Sequence, residues 1–589
     1  MTFGDIQFLW ARGILETLVQ TGVRCFVVSP GSRSTPFVLA LATTREIVVH
    51  RILDERSAGF FAVGYAKATG QTVCLVCTSG SAPAHYLPAV MEAAHSYTPL
   101  LVLSADRPPE LHGNAAPQSV NQAHLFSSFS RLFVDLGTPE PGDAAFRAVT
   151  RKVTQAAVAA RLPEPGPVHV NLPFREPLEP STVETVGPRL ASAAAPQVVV
   201  PRVAGLDTET VNTLAQLIRS KTRGLIVAGP APIGQSAYRD LIEGLAQRTG
   251  FPLLTEATSQ LRFTGTRMAG RVTAFDLLLR STEARAYLQP ELVIQIGAPP
   301  VSKSLARMLE EAPGIQRIVI APFGWNDPQN SASIHVRADV ATVCRQISTE
   351  LTGPAGTSSW AEEWSRAEEV AWRFLETQFA ETETGLSEAT VARFTAESLR
   401  KDDILVVSNS LPVRDLDWFC RAESSCFRVV SQRGAAGIDG SISSALGVAA
   451  THTSRTTLLI GDSAFLHDVG ALNIATAARV PLRIVVANNN GGRIFEKLPV
   501  ACRAEFRGLL DTWFVMPHGL NISNVARSFG VHATRVETPR DMREILADTT
   551  PNDRPVVAEA VIDPAISKKH YGLLEEASQL AADQLRGKD

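Results

Sequence analysis

Three doubly wound parallel α/β sheets are the fold this sequence predicts, on two observations. Short β-branched runs alternate with helix-like stretches along most of its 589 residues, the pattern of parallel strands covered on both faces. That length also exceeds one ordinary core and divides into about three domains of usual size. In the first block the strands read VRCFVVS (23–29), IVVH (47–50), TVCLVC (72–77) and PLLVLSAD (99–106). The middle block follows with RGLIVAG (223–229), ELVIQIG (291–297) and IQRIVIAPF (315–323). The last block holds ILVVS (404–408), FRVVS (427–431), TTLLIGD (456–462), LRIVVANNN (482–490) and VVAEAVID (556–563). Stretches rich in small residues and proline, 191–205 and 352–359, read as linkers, so the domains are expected at 1–185, 205–352 and 360–589.

Composition narrows the function. With 45% hydrophobic residues and a formal net charge of -3, nothing points to nucleic acid or an anionic membrane, so any anion site must be local. Seven cysteines are scattered, and Cys74 and Cys77, three apart on one strand, face opposite sides and make a poor chelate. Reduced buried thiols and a cytoplasmic location are expected. No stretch is long and apolar enough to span a bilayer, and the N-terminus has helical charge spacing in place of a signal peptide's pattern.

Ligands of open α/β sheets bind at the strands' carboxyl ends, so the polar tips matter most. The sharpest set lies in 461–492, where one strand ends in Gly461-Asp462 and the next in Asn488-Asn489-Asn490-Gly491-Gly492. Adjacent parallel strands would bring an aspartate, an asparagine and open glycine backbone to one edge, oxygen ligands suited to a hard cation that shares phosphate oxygens. Helix N-termini beside them would take the phosphates through free N–H groups. As isolated residues, Asp462 is equally a helix cap and the asparagines turn formers.

This stretch resembles the diphosphate-binding motif of thiamine diphosphate enzymes, G-D-G followed by a crossover and N-N, with Ser463 in place of the last glycine. The resemblance implies that Asp462, Asn489 and the carbonyl of Gly491 hold Mg²⁺ or Mn²⁺, with Gly461 and Ser463 beside the cofactor. It also implies a homo-oligomer with active sites between subunits, each using a glutamate at a strand end of the pyrimidine-binding domain. Glu55 fits that place, at the joint of VVHR and the helix ERSAGFFAVGYAKATG. A carboxyl there shares a proton with N1′ of the aminopyrimidine, and apolar surroundings would raise its pKa toward neutrality. Taken alone, Glu55 is also explained by the helix dipole or a pair with Arg51 or Arg56.

The remaining loops present cations at strand ends: Ser32 and Arg33 in SPGSRSTP, Arg107 in SADRPPEL, Gln118 and Gln122 in AAPQSVNQ, Lys303 in VSKSL, Ser410 and Arg414 in SNSLPVRD, and Arg433 in SQRGAAGIDG. Several charge-assisted hydrogen bonds aimed at one cleft favour substrates with more than one carboxylate. Together with LDERSAGFFAVGYAKATG, CTSGSA, PVHVNLPFREPL and NNNGGRIFEKLP, these motifs are similar to the 2-succinyl-5-enolpyruvyl-6-hydroxy-3-cyclohexene-1-carboxylate synthase (MenD) family. The similarity is dense in the outer blocks and thin in the middle one.

Membership would imply decarboxylation of 2-oxoglutarate and 1,4-addition of the succinyl carbanion to isochorismate, for menaquinone or phylloquinone synthesis. It assigns Gln118 a catalytic part and gives the substrates to Ser32, Arg33, Arg107, Lys303, Ser410, Arg414 and Arg433. Ile494 and Phe495 would line the pocket. Ser410, Gly437, Ile438 and Ile494 would contact the cofactor, with Ile438 as the apolar wedge beneath it. Pro117 and Ser304 depart from the family's usual residues, which weakens Lys303 most. A pyruvate decarboxylase or an acetohydroxyacid synthase is the alternative, but either predicts a small apolar pocket that the arginines argue against. A cofactor-binding protein without turnover would not need Glu55.

Overall fold

The computed structural model describes residues 2–182, 205–351, 358–379, 384–422, 426–451, 454–478, 480–548 and 554–587. The two expected linkers lie almost wholly outside them. The first sheet contains β1 (Cys25–Val28), β2 (Val48–Arg51), β3 (Val73–Cys77), β4 (Leu100–Asp106), β5 (Leu132–Asp135) and β6 (Pro167–Pro173), in the order β2-β1-β3-β4-β6-β5. The middle sheet contains β7 (Gly224–Ala228), β8 (Leu253–Thr255), β9 (Arg271–Val272), β10 (Leu292–Ile296), β11 (Gln316–Ala321) and β12 (Ile334–Arg337), in the order β12-β11-β10-β7-β8-β9. The third contains β13 (Ile404–Val407), β14 (Arg428–Ser431), β15 (Thr456–Gly461), β16 (Leu482–Asn488), β17 (His532–Val536) and β18 (Val556–Val561), in the order β14-β13-β15-β16-β18-β17. Every pairing is parallel.

The predicted fold class is therefore the observed one. The first and third sheets also run through the same order, second-first-third-fourth-sixth-fifth, whereas the middle sheet has the order of a dinucleotide-binding fold. Central strands are buried throughout because helices cover both faces. Cys74 and Cys77 enter different cores on opposite faces of β3, and burial raises the pKa of both thiols. No helix among the described residues is long and apolar enough to cross a membrane.

The outer domains share one core. The helix Glu55–Thr69, which follows β2, crosses the helix Ser441–Ala449, which follows β14, and Phe61, Ala62 and Ala66 pack with Ile442, Leu446 and Ile460. Glycine allows the approach: a Cβ on Gly64 would lie 2.0 Å from the carbonyl oxygen of Ser444, and one on Gly447 would lie 2.1 Å from that of Phe61. Lys67 ties the end of the first helix to the third domain, donating to Glu92 at 2.5 Å and to the carbonyl of Ser431 at 3.0 Å. The C-terminal helix Pro564–Leu585 packs instead on the middle domain, where Ser578 Oγ accepts from Ser281 N at 2.9 Å.

Candidate active site

Asp462 is the first residue of a short helix that starts where β15 ends, and it is 1% exposed. It is not the cap of that helix, a place taken by Gly461. Its Oδ1 accepts from Ser463 N at 2.5 Å and its Oδ2 from Gly491 N at 2.8 Å, so the carboxylate links the ends of β15 and β16. Ser463 returns its hydroxyl to the same Oδ1 at 3.2 Å, so a serine in place of glycine leaves the aspartate in position. His518 Nδ1 accepts from Leu520 N at 2.9 Å, which puts the proton on Nε2, 3.1 Å from Asp462 Oδ2.

Asn488, the last residue of β16, and Asn489 after it are held differently. Asn488 is spent on the scaffold: its Nδ2 donates to Glu559 at 2.8 Å and its Oδ1 accepts from Asn490 N at 3.1 Å. Asn489 Nδ2 donates to Glu388 Oε1 at 2.7 Å, and its Oδ1 meets no donor among the described residues. Gly491 has φ +124, and a Cβ there would lie 2.3 Å from the carbonyl oxygen of Val515, so only glycine passes. Among the described residues no three His, Cys, Asp or Glu side chains gather as a metal cluster. The oxygen atoms of one carboxylate, one amide and one backbone carbonyl are the donor set that remains, which suits a hard ion completing its shell with phosphate and water.

Glu55 opens the helix after β2 and is half-buried. Arg56 turns away from it to Asp54, at 2.6 Å, and Asp54 caps the helix by accepting from Arg56 N. Burial then raises the pKa of Glu55, and its charge makes the buried Cys77 and Tyr86 harder to ionise. A carboxyl at a helix N-terminus is ordinarily favoured in its charged form. Here desolvation prevails and shifts the carboxyl toward its neutral form.

The predicted cations fall into two groups. In the first domain Arg107 donates to Ser79 Oγ at 3.0 Å, to Gln118 Oε1 at 2.9 Å and to the carbonyl of Pro117 at 3.3 Å, with Gln118 held at φ 57. Arg33 is 4% exposed and donates to the carbonyl of Phe174 and to Glu176, both at 3.0 Å. Ser32 beside it is exposed, whereas Gln122 is a scaffold residue that accepts from Gly80 N and donates to Asn171 and the carbonyl of Ala105. In the third domain Arg414 donates to the carbonyl of Ser410, a residue at φ 75 and ψ -127, and Arg433 donates to Asn409 Oδ1 at 2.7 Å. Asn409 Nδ2 in turn holds the carbonyl of Gly437. Desolvation and the neighbouring guanidinium lower the pKa of Arg107 and of Arg414, because Arg33 lies near the first and Arg433 near the second.

Ile438 packs against the core shared by the outer domains, Ile494 packs against the core that the middle domain shares with the third, and Phe495 tilts against Phe514 with ring centroids 5.7 Å apart. Lys303 is exposed at the start of the helix Lys303–Glu311 and joins neither cation group. Ser79, Asn409, Glu388 and His518 escaped the sequence reading. Asn409 was visible at a strand end beside Ser410. Glu388 comes from a helix remote in sequence from Asn489 and carries no local signal.

Three family models match the chain. "Thiamine pyrophosphate enzyme, N-terminal TPP binding domain" matches residues 10–125, "Middle domain of thiamine pyrophosphate" matches 204–407, and "Thiamine pyrophosphate enzyme, C-terminal TPP binding domain" matches 419–560. Curated relatives carry the name 2-succinyl-5-enolpyruvyl-6-hydroxy-3-cyclohexene-1-carboxylate synthase. One from Sorangium cellulosum is 40% identical over 580 residues, covering 95% of this chain and 93% of its own. One from Myxococcus xanthus is 40% identical over 551 residues, covering 92% of each chain. A third, from the archaeon Haloarcula marismortui, is 35% identical over 608 residues and spans 100% of both.

Proposed function

The chain belongs to the thiamine diphosphate (thiamine pyrophosphate) enzyme family, among its 2-succinyl-5-enolpyruvyl-6-hydroxy-3-cyclohexene-1-carboxylate synthases, and on that premise we propose that it decarboxylates 2-oxoglutarate and adds the remaining succinyl unit to isochorismate in a 1,4 sense. One observation carries the choice of substrates. Guanidinium groups stand in two like-charged sets at strand ends, Arg33 with Arg107 and Arg414 with Arg433, each partly desolvated. Like charges so placed are relieved by anions, and two such sets fit a pair of substrates that together carry several carboxylates. A small apolar pocket for pyruvate has no use for them.

The residues at the ends of β15 and β16 fit a metal-bound diphosphate. Asp462, Asn489 Oδ1 and the carbonyl of Gly491 would hold Mg²⁺ or Mn²⁺. When bound, thiamine diphosphate supplies the electron sink that lets CO₂ leave. Glu55, with its pKa raised by burial, would share a proton with the cofactor's pyrimidine ring. Arg107, oriented by Ser79 and Gln118, binds isochorismate with Arg33 behind it, and Arg414 and Arg433 bind 2-oxoglutarate. Ile438 and Ile494 keep the site apolar beneath and beside the cofactor.

Glu55 reaches the diphosphate domain of a second copy in this reading. Around its strand–helix joint Leu53 is 66% exposed and Val48 46%, apolar surface that a partner subunit would cover. The test is a product assay. Purified protein with Mg²⁺ and thiamine diphosphate is given 2-oxoglutarate plus isochorismate, and separately pyruvate, while CO₂ and isochorismate absorbance are followed. Consumption of both first substrates is expected. Turnover of pyruvate with isochorismate untouched would overturn the proposal.

A further inference from the structure

We propose that Glu388 is a positioning residue that decides which atom of Asn489 faces the metal. The inference rests on the reading of Asn489 as a metal ligand and goes beyond it. An amide has two nearly isosteric ends, of which only the oxygen can serve a cation. A carboxylate accepts hydrogen bonds and cannot donate them, so the end of Asn489 that faces Glu388 must be the nitrogen. The contact is short, Nδ2 to Oε1 at 2.7 Å, and it turns Oδ1 away from Glu388 with no donor of its own among the described residues.

Glu388 is itself fixed. It is 4% exposed and occupies the first position of the helix Glu388–Ser398, whose N-cap is Ser387, where the dipole favours a buried negative charge. Its other oxygen, Oε2, accepts from the hydroxyl of Ser567 in the C-terminal helix. One element thus holds the carboxylate, a second locks it, and a third receives it. The neighbouring asparagine provides the contrast: Asn488 is anchored in the same way by Glu559, but its oxygen already accepts from Asn490 N, whereas that of Asn489 accepts from no donor among the described residues.

The arrangement makes a prediction whose sign reverses. With Asn489 present, Glu388→Gln removes the enforcement, because a glutamine side chain pairs with an amide in either orientation and Ser567 accepts or donates as required. With Asn489→Asp present there is no amide to orient. Glu388 then faces a second carboxylate, and Glu388→Gln supplies a donor in place of the repulsion. Mn²⁺ affinity is measured by electron paramagnetic resonance on the full chain with saturating thiamine diphosphate, which needs no turnover.

Glu388→Ala should weaken Mn²⁺ by about 10–100-fold, the usual effect of losing a group that orients a ligand. Glu388→Gln should weaken it less in the parent and strengthen it in the Asn489→Asp background. Unchanged affinity in Asn489→Ala would remove the metal site itself. A loss in Asn489→Ala with parental affinity in Glu388→Ala overturns the positioning role alone. If Glu388→Ala fails to fold, the isosteric glutamine pair still decides, and weakening in both backgrounds overturns the inference.

Discussion

Replacing Gly447 by alanine puts a methyl carbon 2.1 Å from the carbonyl oxygen of Phe61, and the reciprocal change at Gly64 puts one 2.0 Å from that of Ser444. Ordinary contact begins at 3.4 Å, so the helices Glu55–Thr69 and Ser441–Ala449 must part by about 1.3 Å in the first variant and about 1.4 Å in the second. Both obstacles are backbone, which cannot rotate aside. Overpacking of this kind costs about 1–3 kcal/mol. For a domain of this size the middle of that range lowers the melting temperature by about 4–8 °C.

The displaced helix begins at Glu55, and a misplacement of about 1 Å in a catalytic group costs on the order of 100-fold in rate. Because one separation relieves both clashes, Gly64→Ala with Gly447→Ala should fall short of the sum of the singles by about 1 kcal/mol. Differential scanning calorimetry on the four proteins measures this. Single variants that melt within about 1 °C of the parent, or a strictly additive double, would refute the reasoning.

Glu55→Gln should keep thiamine diphosphate binding but exchange the C2 proton of the thiazolium far more slowly, since an amide cannot pass a proton. Parental exchange by NMR would return Glu55 to a helix-end charge. Asp468 accepts from Ser443 N at 2.7 Å and from Ser443 Oγ at 2.9 Å, and burial pushes its pKa up to about 7. A carboxyl raised on folding stabilises the native state most below its unfolded pKa of about 4, and that contribution is lost as pH rises through about 7. Asp468→Asn stays neutral with an acceptor oxygen for Ser443, so relative to the parent its melting temperature should improve between pH 5 and pH 8. Parallel profiles would exclude Asp468 as the titrating group.

The central strands were legible because burial on both faces demands continuous β-branched runs, as in TVCLVC and LRIVVANNN. The strands β5, β8, β9, β12 and β17 were not: most are short or partly exposed, as in β17, where His532 is exposed and Ala533 buried. PVHVNLP was legible as a motif, and only its pairing with β4 and β5 made it a strand. Strand order has no local signature, so the matching sheets of the outer domains appeared only with the fold. At the site, residue types at strand ends pointed to a cation and diphosphate. They did not say that Asn488 is consumed by Asn490 and Asn489 is not, since the difference lies with Glu559 and Glu388. Arg33 was legible as a strand-end cation, but nothing in its own loop showed that Phe174 and Glu176 hold its guanidinium.

The core shared by the outer domains also sets a timetable for synthesis. The helix Glu55–Thr69 leaves the ribosome roughly 370 residues before Ser441–Ala449, the surface it packs on. At about 5–20 residues per second, that is an interval of roughly 20–75 seconds. Throughout it Phe61 has His50 of its own domain beside it, but the surface that will meet Ile442 and Leu446 stays uncovered, so the growing polypeptide exposes an apolar seam until the last domain arrives.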